Sequence, residues 1–197
     1  MGQYYYGCSL KTKEYVCAHD IKERFKNDEG KMVSCFNGLK LMEHSWIKNS
    51  FMRAIESLLI PGGKWHKHPI VWAGDYADNE PEQNINLHTI VSGGGEEGEG
   101  IDGCIIPKPL TQKQSDSFRF IVNHTKKTFV DKTAVPDRDG WIIHPLSLLT
   151  AEGNGSGGGD FRGNDPKKLI GSWARDIISI EKKAPADFKE IFFNLVE

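Results

Sequence analysis

The sequence predicts an α+β fold made of two similar halves, each with the element order hairpin, helix, strand (a ββαβ-like unit), packed into one compact domain. Three observations support this prediction. A hairpin pattern with a Thr-Lys turn occurs twice, a helical pattern follows it in each half, and a tryptophan-containing strand comes later in each half. The predicted first half covers residues 1–91 and the second covers 118–197, with a Gly/Glu-rich linker and connector at 92–117.

The hairpins are predicted from polar turns that follow aromatic or β-branched residues. LKTKEYVC at 10–17 follows YYYGCS, and NHTKKTFVDK at 123–132 follows FRFIV. In both segments a valine follows the Thr-Lys pair by three or four residues. We expect each segment to contain a turn and a return strand.

A helix is predicted in the first half because apolar residues recur on one helical face. These residues are Ile47, Phe51, Ala54, Ile55, Leu58 and Leu59. Asn49 or Ser50 is a candidate to start the helix, and Pro61-Gly62-Gly63 is expected to end it. In the second half WIIHPLSLLTAEG predicts a helix from about residue 145 to 152, because proline is tolerated in the first helical turn.

The last strand of each half is predicted to contain a tryptophan. The segments are HPIVWAGDYAD at 68–78 and IGSWARDIISIE at 170–181. The sequence leaves open whether the halves share one sheet or pack sheet to sheet. Between them, SGGGEEGEGIDG at 92–103 predicts a polar linker.

Composition predicts a soluble, cytoplasmic protein. With 38% apolar and 26% charged residues the chain has the balance of a folded domain. A net charge of -2 argues against a duplex nucleic-acid partner. No apolar run approaches the roughly 20 residues that span a bilayer, and no signal peptide is evident, so no membrane partner is expected. Because no CxxC pair occurs, reduced structural thiols are expected at Cys8, Cys17, Cys35 and Cys104.

Six segments carry a family resemblance: MGQYY, NHTKK, GLKLMEHSW, WAGDYAD, GNGSGGGDFRG and GSWARD. Together they resemble an uncharacterised family of small bacterial and phage proteins, whose single-unit members carry such motifs once. The resemblance implies an organisation and no established activity. Here GLKLMEHSW and AGDYAD lie in the first half, whereas GNGSGGGDFRG and GSWARD lie in the second. This division suggests duplication followed by complementary loss, with one composite site across the halves as a possible outcome.

The glycine-rich stretch is the first candidate site. Glycines adopt positive φ easily, so successive amide N–H groups can turn inward and cradle an anion. The candidate ligand-binding residues are Gly155, Gly157, Gly158, Gly159, Asp160 and Arg162. Arg162 would grip phosphate or carboxylate at two points, and Asp160 would accept from a ribose hydroxyl or orient Arg162. Since no Walker A or strand-embedded GxGxxG motif is present, a flexible or tightly turned connector is the alternative.

WAGDYAD and GSWARD supply the remaining ligand candidates. Asp75 and Asp78 follow a strand end, where paired carboxylates can bind a divalent ion or act as acid and base; a capped turn is the alternative. Trp72 and Trp173 are candidate stacking platforms for a base, with core packing as the alternative. Arg175 is expected to pair with the neighbouring aspartate or to face an anion.

Other polar groups are weaker candidates. Glu43-His44 could form an acid/base pair, although it belongs to no HExxH motif. His66 and His68 would share one strand face, but no further ligands follow at recognisable spacing, so neither a metal nor a cofactor is predicted. His124 is expected at the hairpin turn and His144 as a cap or at the core edge.

These features predict a small-molecule binding protein for an anionic, nucleotide-like ligand. In a phage protein, sequestration of a host nucleotide signal would suit such a binder. A metal-dependent phosphoester hydrolase using Asp75, Asp78, Glu43 and His44 is one alternative, and a protein-interaction or inhibitor module is another. The lack of an acid/base or metal set at the usual spacing favours binding over catalysis. A homo-oligomer is compatible with the sequence.

Overall fold

The protein is described by a computed structural model that covers residues 4–18, 21–26, 32–36, 45–93, 103–137, 142–153 and 168–194. Within these residues the fold is mixed α/β and consists mostly of sheet with few helices. None of the helices in the described ranges is long and apolar enough to cross a membrane.

One nine-stranded sheet joins both predicted halves. Its strands are β1 Tyr5–Ser9, β2 Glu14–Val16, β5 His68–Gly74, β6 Cys104–Ile105, β7 Phe120–Asn123, β8 Thr128–Asp131, β9 Ala151–Glu152, β10 Ile177–Glu181 and β11 Lys189–Glu190. A separate hairpin consists of β3 Lys22–Lys26 and β4 Met32–Phe36. The order along the large sheet is β11-β8-β7-β10-β5-β1-β2-β6, with β9 paired to β5.

Neighbouring strands are antiparallel from β8 to β2 along this order, and parallel pairing occurs at the two edges and between β9 and β5. The hairpins β1–β2 and β7–β8 are antiparallel, as predicted, and β5 meets β10 antiparallel at the centre. The edge strands β6 and β11 pair in parallel with β2 and β8.

Four α-helices lie in the described part of the chain: α1 Ser50–Leu59, α2 Leu87–Val91, α3 Gln112–Ser117 and α4 Pro145–Leu149. Helix α1 confirms the periodicity prediction and begins after Asn49, whose Oδ1 accepts the N–H of Phe51 at 2.7 Å. Helix α4 is shorter than predicted. The backbone carbonyl of Thr150 accepts the N–H of Trp72 at 2.8 Å, so the chain leaves the helix and joins the sheet as β9.

The main hydrophobic core lies on one face of the sheet, where α1 and α4 contribute buried side chains such as Ile55, Leu59 and Leu146. A smaller core covers part of the other face beneath α2. Its buried residues are Tyr6, Cys8, Val71, Ala73, Leu87 and Val91. The alternation of Ile70 and Trp72 with Val71 and Ala73 between these two cores follows from the period of two along a strand.

The strand predicted over 170–181 begins only at Ile177. Trp173 lies in the preceding turn, where its backbone N–H donates to the carbonyl of Leu149 at 2.7 Å. The prediction was wrong here because an apolar aromatic residue packs equally well from a turn into the core. The first tryptophan strand, β5, is confirmed.

The prediction of four reduced cysteines is wrong for one pair. Cys17 and Cys104 form a disulfide with a Cα–Cα distance of 5.6 Å, within the range that a disulfide spans. Parallel pairing of β2 with β6 brings the two residues together across 87 positions of sequence, which no local spacing could indicate. Cys8 is a buried free thiol, and burial raises its pKa.

Candidate functional site

A cavity of about 510 Å³ lies beside the carboxyl end of β5. Three chain segments line it: residues 77–81 after β5, residues 151–153 at β9, and residues 170–175 without Trp173 in the turn before β10. They include the last two residues of the AGDYAD motif, the first residue of GNGSGGGDFRG and most of the GSWARD motif. Segments far apart in the sequence thus share one concave surface.

Backbone pairing explains why these segments meet. Parallel pairing of β9 with β5 places Glu152 beside Ala73. The turn before β10 is attached to α4 by the N–H of Gly171, which donates to Leu148 at 2.8 Å. The N–H of Arg175 then donates to the carbonyl of Ile70 at 2.8 Å. The cavity therefore rests on sheet and helix backbone.

Arg175 is the central polar group of the cavity. Its Nε and Nη2 donate to the carboxylate of Glu152 at 2.5 and 2.9 Å. Its Nη1 donates to Glu80 at 3.1 Å, and Nη2 also donates to Glu80. Both edges of the guanidinium are thus engaged by carboxylates in bidentate geometry. The hydrogen bonds that Arg175 donates to Glu152 and Glu80 raise its pKa, so its charge is permanent.

The described lining carries more negative than positive charge. Asp78, Glu80 and Glu152 contribute three carboxylates, against the single guanidinium of Arg175. The side chain of Arg175 is 36% exposed, whereas those of Glu80 and Glu152 are 17% and 23% exposed. An anion entering this cavity therefore needs direct contact with Arg175.

Asp75 and Asp78 occupy different environments although they are close in sequence. The carboxylate of Asp75 accepts the backbone N–H of Tyr4 at 3.2 Å, and the N–H of Asp75 donates to Tyr4 at 3.0 Å. Asp75 thus extends the β1–β5 ladder and does not line the cavity. Asp78 is exposed and does line it.

Trp72 and Trp173 lie in the main hydrophobic core, and each is 1% exposed. Trp72 packs edge-on against Phe51 with ring centroids 5.8 Å apart. Neither indole presents a face to solvent, so the structure places both rings in the core-packing role and not beside the cavity.

The remaining ligand candidates lie outside the described residues. These are Gly155, Gly157, Gly158, Gly159, Asp160 and Arg162. The same holds for Glu43-His44. Gly153, the first residue of GNGSGGGDFRG, is the one residue of this motif within the described ranges, and it lines the cavity.

The histidines take part in local hydrogen bonding. His124 lies in the β7–β8 turn, as predicted, and its Nε2 is 2.8 Å from Oγ of Ser179. His66 Nε2 is 2.9 Å from the carboxylate of Glu181. His144 caps α4, where its Nδ1 accepts the N–H of Leu146 at 3.2 Å. Among the described residues, no group of three or more His, Cys, Asp or Glu side chains is arranged to hold a metal ion.

The sequence prediction missed Glu80 and Glu152, which contact Arg175 directly. Glu80 stands in the polar run DNEPEQN, where composition indicates only a solvated turn. Glu152 precedes the glycine-rich stretch within the predicted helix. No spacing signal links either residue to Arg175, because the contacts arise from pairing of distant strands.

No protein-family model matches this sequence, and neither the curated proteins nor the solved structures include a significant match to the chain.

Proposed function

We propose that the chain is a small-molecule binding protein and that an anionic, nucleotide-like ligand binds in the cavity around Arg175. The observation that supports this proposal is that three segments distant in sequence line the same cavity. Residues of the AGDYAD motif, residues of the GSWARD motif and the first residue of GNGSGGGDFRG line one cavity, although the sequence separates them widely.

The site is proposed to be a composite of two similar halves. Strand order supports this idea, because the two sides of the sheet have the same arrangement. From one edge inward come β6, the hairpin β2–β1 and then β5; from the other come β11, the hairpin β8–β7 and then β10. The first half contributes residues 77–81 to the cavity, and the second contributes residues 151–153 and 170–175 without Trp173.

Backbone hydrogen bonds provide a second line of support. The N–H of Leu10 donates to Pro69 at 3.0 Å, and at the matching place in the second hairpin His124 donates to Ile177 at 2.8 Å. The last residues of the two turns, Lys13 and Lys127, share a φ of 52°.

The same correspondence matches the turn before β5 with the turn before β10. The N–H of Lys67 donates to Ile178 at 3.0 Å, as that of Arg175 donates to Ile70 at 2.8 Å. Both residues have positive φ, 58° and 66°. Arg175 therefore corresponds to Lys67, and the bidentate contacts with carboxylates distinguish Arg175 from its counterpart.

The lining residues suggest a division of roles. Arg175 would bind the phosphate or carboxylate of the ligand, because a guanidinium fork matches an oxyanion. Asn79 and Ser172 also line the cavity and offer hydrogen bonds to hydroxyl or base groups. A nucleotide fits the usual pattern of a pocket with a few convergent polar groups.

The resemblance to the family of small bacterial and phage proteins stays a prediction. Within the proposal, sequestration of a nucleotide signal would suit a phage-encoded binder, since tight binding without turnover is all that this role requires.

The test is a thermal-shift screen with a panel of nucleotides and divalent metals on the wild-type chain, Arg175→Ala and Arg119→Ala. Arg119, which is 46% exposed, also donates to a carboxylate, that of Asp131, and it does not line the cavity, so it is a control for removal of an arginine. Saturation to 100 times Kd stabilises a protein by about 2.7 kcal/mol, which is readily measured as a rise in Tm.

We expect at least one nucleotide to raise the Tm of the wild type and of Arg119→Ala but not of Arg175→Ala. Stabilisation by metal alone, with phosphoester turnover, would instead favour the hydrolase. If no small molecule shifts the Tm and the chain co-purifies with one specific protein, the interaction module replaces the binding proposal.

A further inference from the structure

We infer that Glu80 occupies the position of the ligand's oxyanion on Arg175, and that a ligand phosphate or carboxylate binds by replacing it. The inference rests on the proposed function. It assigns the Nη1–Nη2 edge of the guanidinium as the anion subsite and Glu80 as the internal group that competes for it.

The two carboxylates on Arg175 come from different kinds of structure. Glu152 belongs to β9, which is paired with β5, and it binds the Nε–Nη2 edge. Glu80 belongs to the irregular segment between β5 and α2, and it binds the Nη1–Nη2 edge. Glu152 is therefore suited to orient the guanidinium, whereas Glu80 can leave without disrupting the sheet.

The charges around Arg175 favour a ligand oxyanion that replaces Glu80 over one that binds in addition to it. One guanidinium between two carboxylates leaves this group of three with an excess negative charge. A further oxyanion would meet repulsion from both carboxylates at short range in a partly desolvated cavity. If the oxyanion takes the place of Glu80, a negative charge remains beside Arg175. The oxyanion then accepts the two hydrogen bonds from Nη1 and Nη2 that Glu80 had accepted.

The segment that carries Glu80 can release this side chain while its ends stay fixed. Nδ2 of Asn86 donates to the carbonyls of Asp75 and Ala77 at 3.1 and 3.2 Å. The N–H of Glu80 donates to Ile85 at 2.9 Å. These bonds hold the backbone, so rotation of one side chain into solvent is enough to open the subsite.

The experiment measures binding of inorganic phosphate and of adenosine 5′-monophosphate by calorimetry. The proteins are the wild type, Glu80→Gln, Glu152→Gln and Glu82→Gln. Glu82 is exposed, and its replacement makes the same change in net charge two residues away. Glutamine keeps the size of Glu80 and weakens its hold on the guanidinium.

We expect Glu80→Gln to bind phosphate about 5-fold more tightly than the wild type, as follows from loss of a competing ion pair of about 1 kcal/mol. Glu152→Gln should gain less than Glu80→Gln, because it removes a repelling charge and also the carboxylate that orients the guanidinium. Glu82→Gln should match the wild type. Failure of Glu80→Gln to bind phosphate, or affinity no higher than that of Glu82→Gln, overturns the inference. The proposed function would survive that result if a nucleotide still stabilised the wild type and not Arg175→Ala.

Discussion

Nε2 of His144 lies 3.0 Å from Oε1 of Glu56, and the two side chains are 1% and 2% exposed. Because Nδ1 of His144 accepts the N–H of Leu146, the imidazole is neutral with its proton on Nε2, which donates to Glu56. Lys132 forms an ion pair with the same carboxylate oxygen, and its Nζ also donates to Ser115 at 3.1 Å. This buried polar cluster joins α1, α4 and the segment after β8.

The cluster predicts that acid destabilises the protein. Burial lowers the pKa of His144, and hydrogen bonds with His144 together with the charge of Lys132 lower the pKa of Glu56 against the opposing effect of burial. Groups whose pKa is lower in the folded state contribute stability above their unfolded pKa, and this stability is lost as pH falls. The loss should begin below pH 6.5 for His144 and below pH 4.5 for Glu56.

The measurement is the free energy of unfolding in urea between pH 7.5 and pH 4. His144→Asn retains a capping side chain and removes the titrating group, so its stability should depend less on pH between 7 and 5. An unchanged slope in this variant would contradict the assignment to His144.

Lys132→Met should lower the free energy of unfolding by about 3 kcal/mol, because it leaves the buried charge of Glu56 without its cation. Urea unfolding at pH 7 measures the effect. Lys126→Met is the matched control, since Lys126 is 48% exposed where it pairs with Asp176, and an exposed pair contributes about 1 kcal/mol or less. If both variants lower the free energy of unfolding equally, the buried pair contributes no more to stability than the exposed pair.

Reduction of the Cys17–Cys104 disulfide should lower stability by about 4 kcal/mol, because the bond closes a long loop in the unfolded chain. Unfolding with and without reductant measures the effect. Cys17→Ser/Cys104→Ser should be destabilised to a similar extent and should not respond to reductant. Free thiols at both positions in the purified protein, detected by alkylation and mass spectrometry, would disprove the pairing.

Gly7→Ala should destabilise the protein by about 1–3 kcal/mol through overpacking. A Cβ at this position would lie 2.9 Å from Cζ3 of Trp72 on the neighbouring strand. Trp72→Phe provides space, so the alanine substitution should cost less in that background. Additive effects in the double variant would show that the ring is not the obstacle.

Local patterns were enough to predict several elements. The apolar face of α1, its cap at Asn49, the turn at His124 and the strand containing Trp72 all follow from contacts within a few residues. Periodicity and turn chemistry express such short-range contacts directly. For the same reason, the segment from Ile170 to Asp176 was predicted as strand, since nothing local distinguishes a buried turn from a buried strand.

Only the tertiary structure decided the site and the disulfide. Arg175 and Glu80 are 95 residues apart and meet because β5, β9 and β10 are neighbours in one sheet. Cys17 and Cys104 meet because β6 adds in parallel to β2. Strand order depends on the sum of many long-range contacts, so the sequence by itself determined which segments form helices and hairpins, and the folded sheet determined which side chains share a cavity.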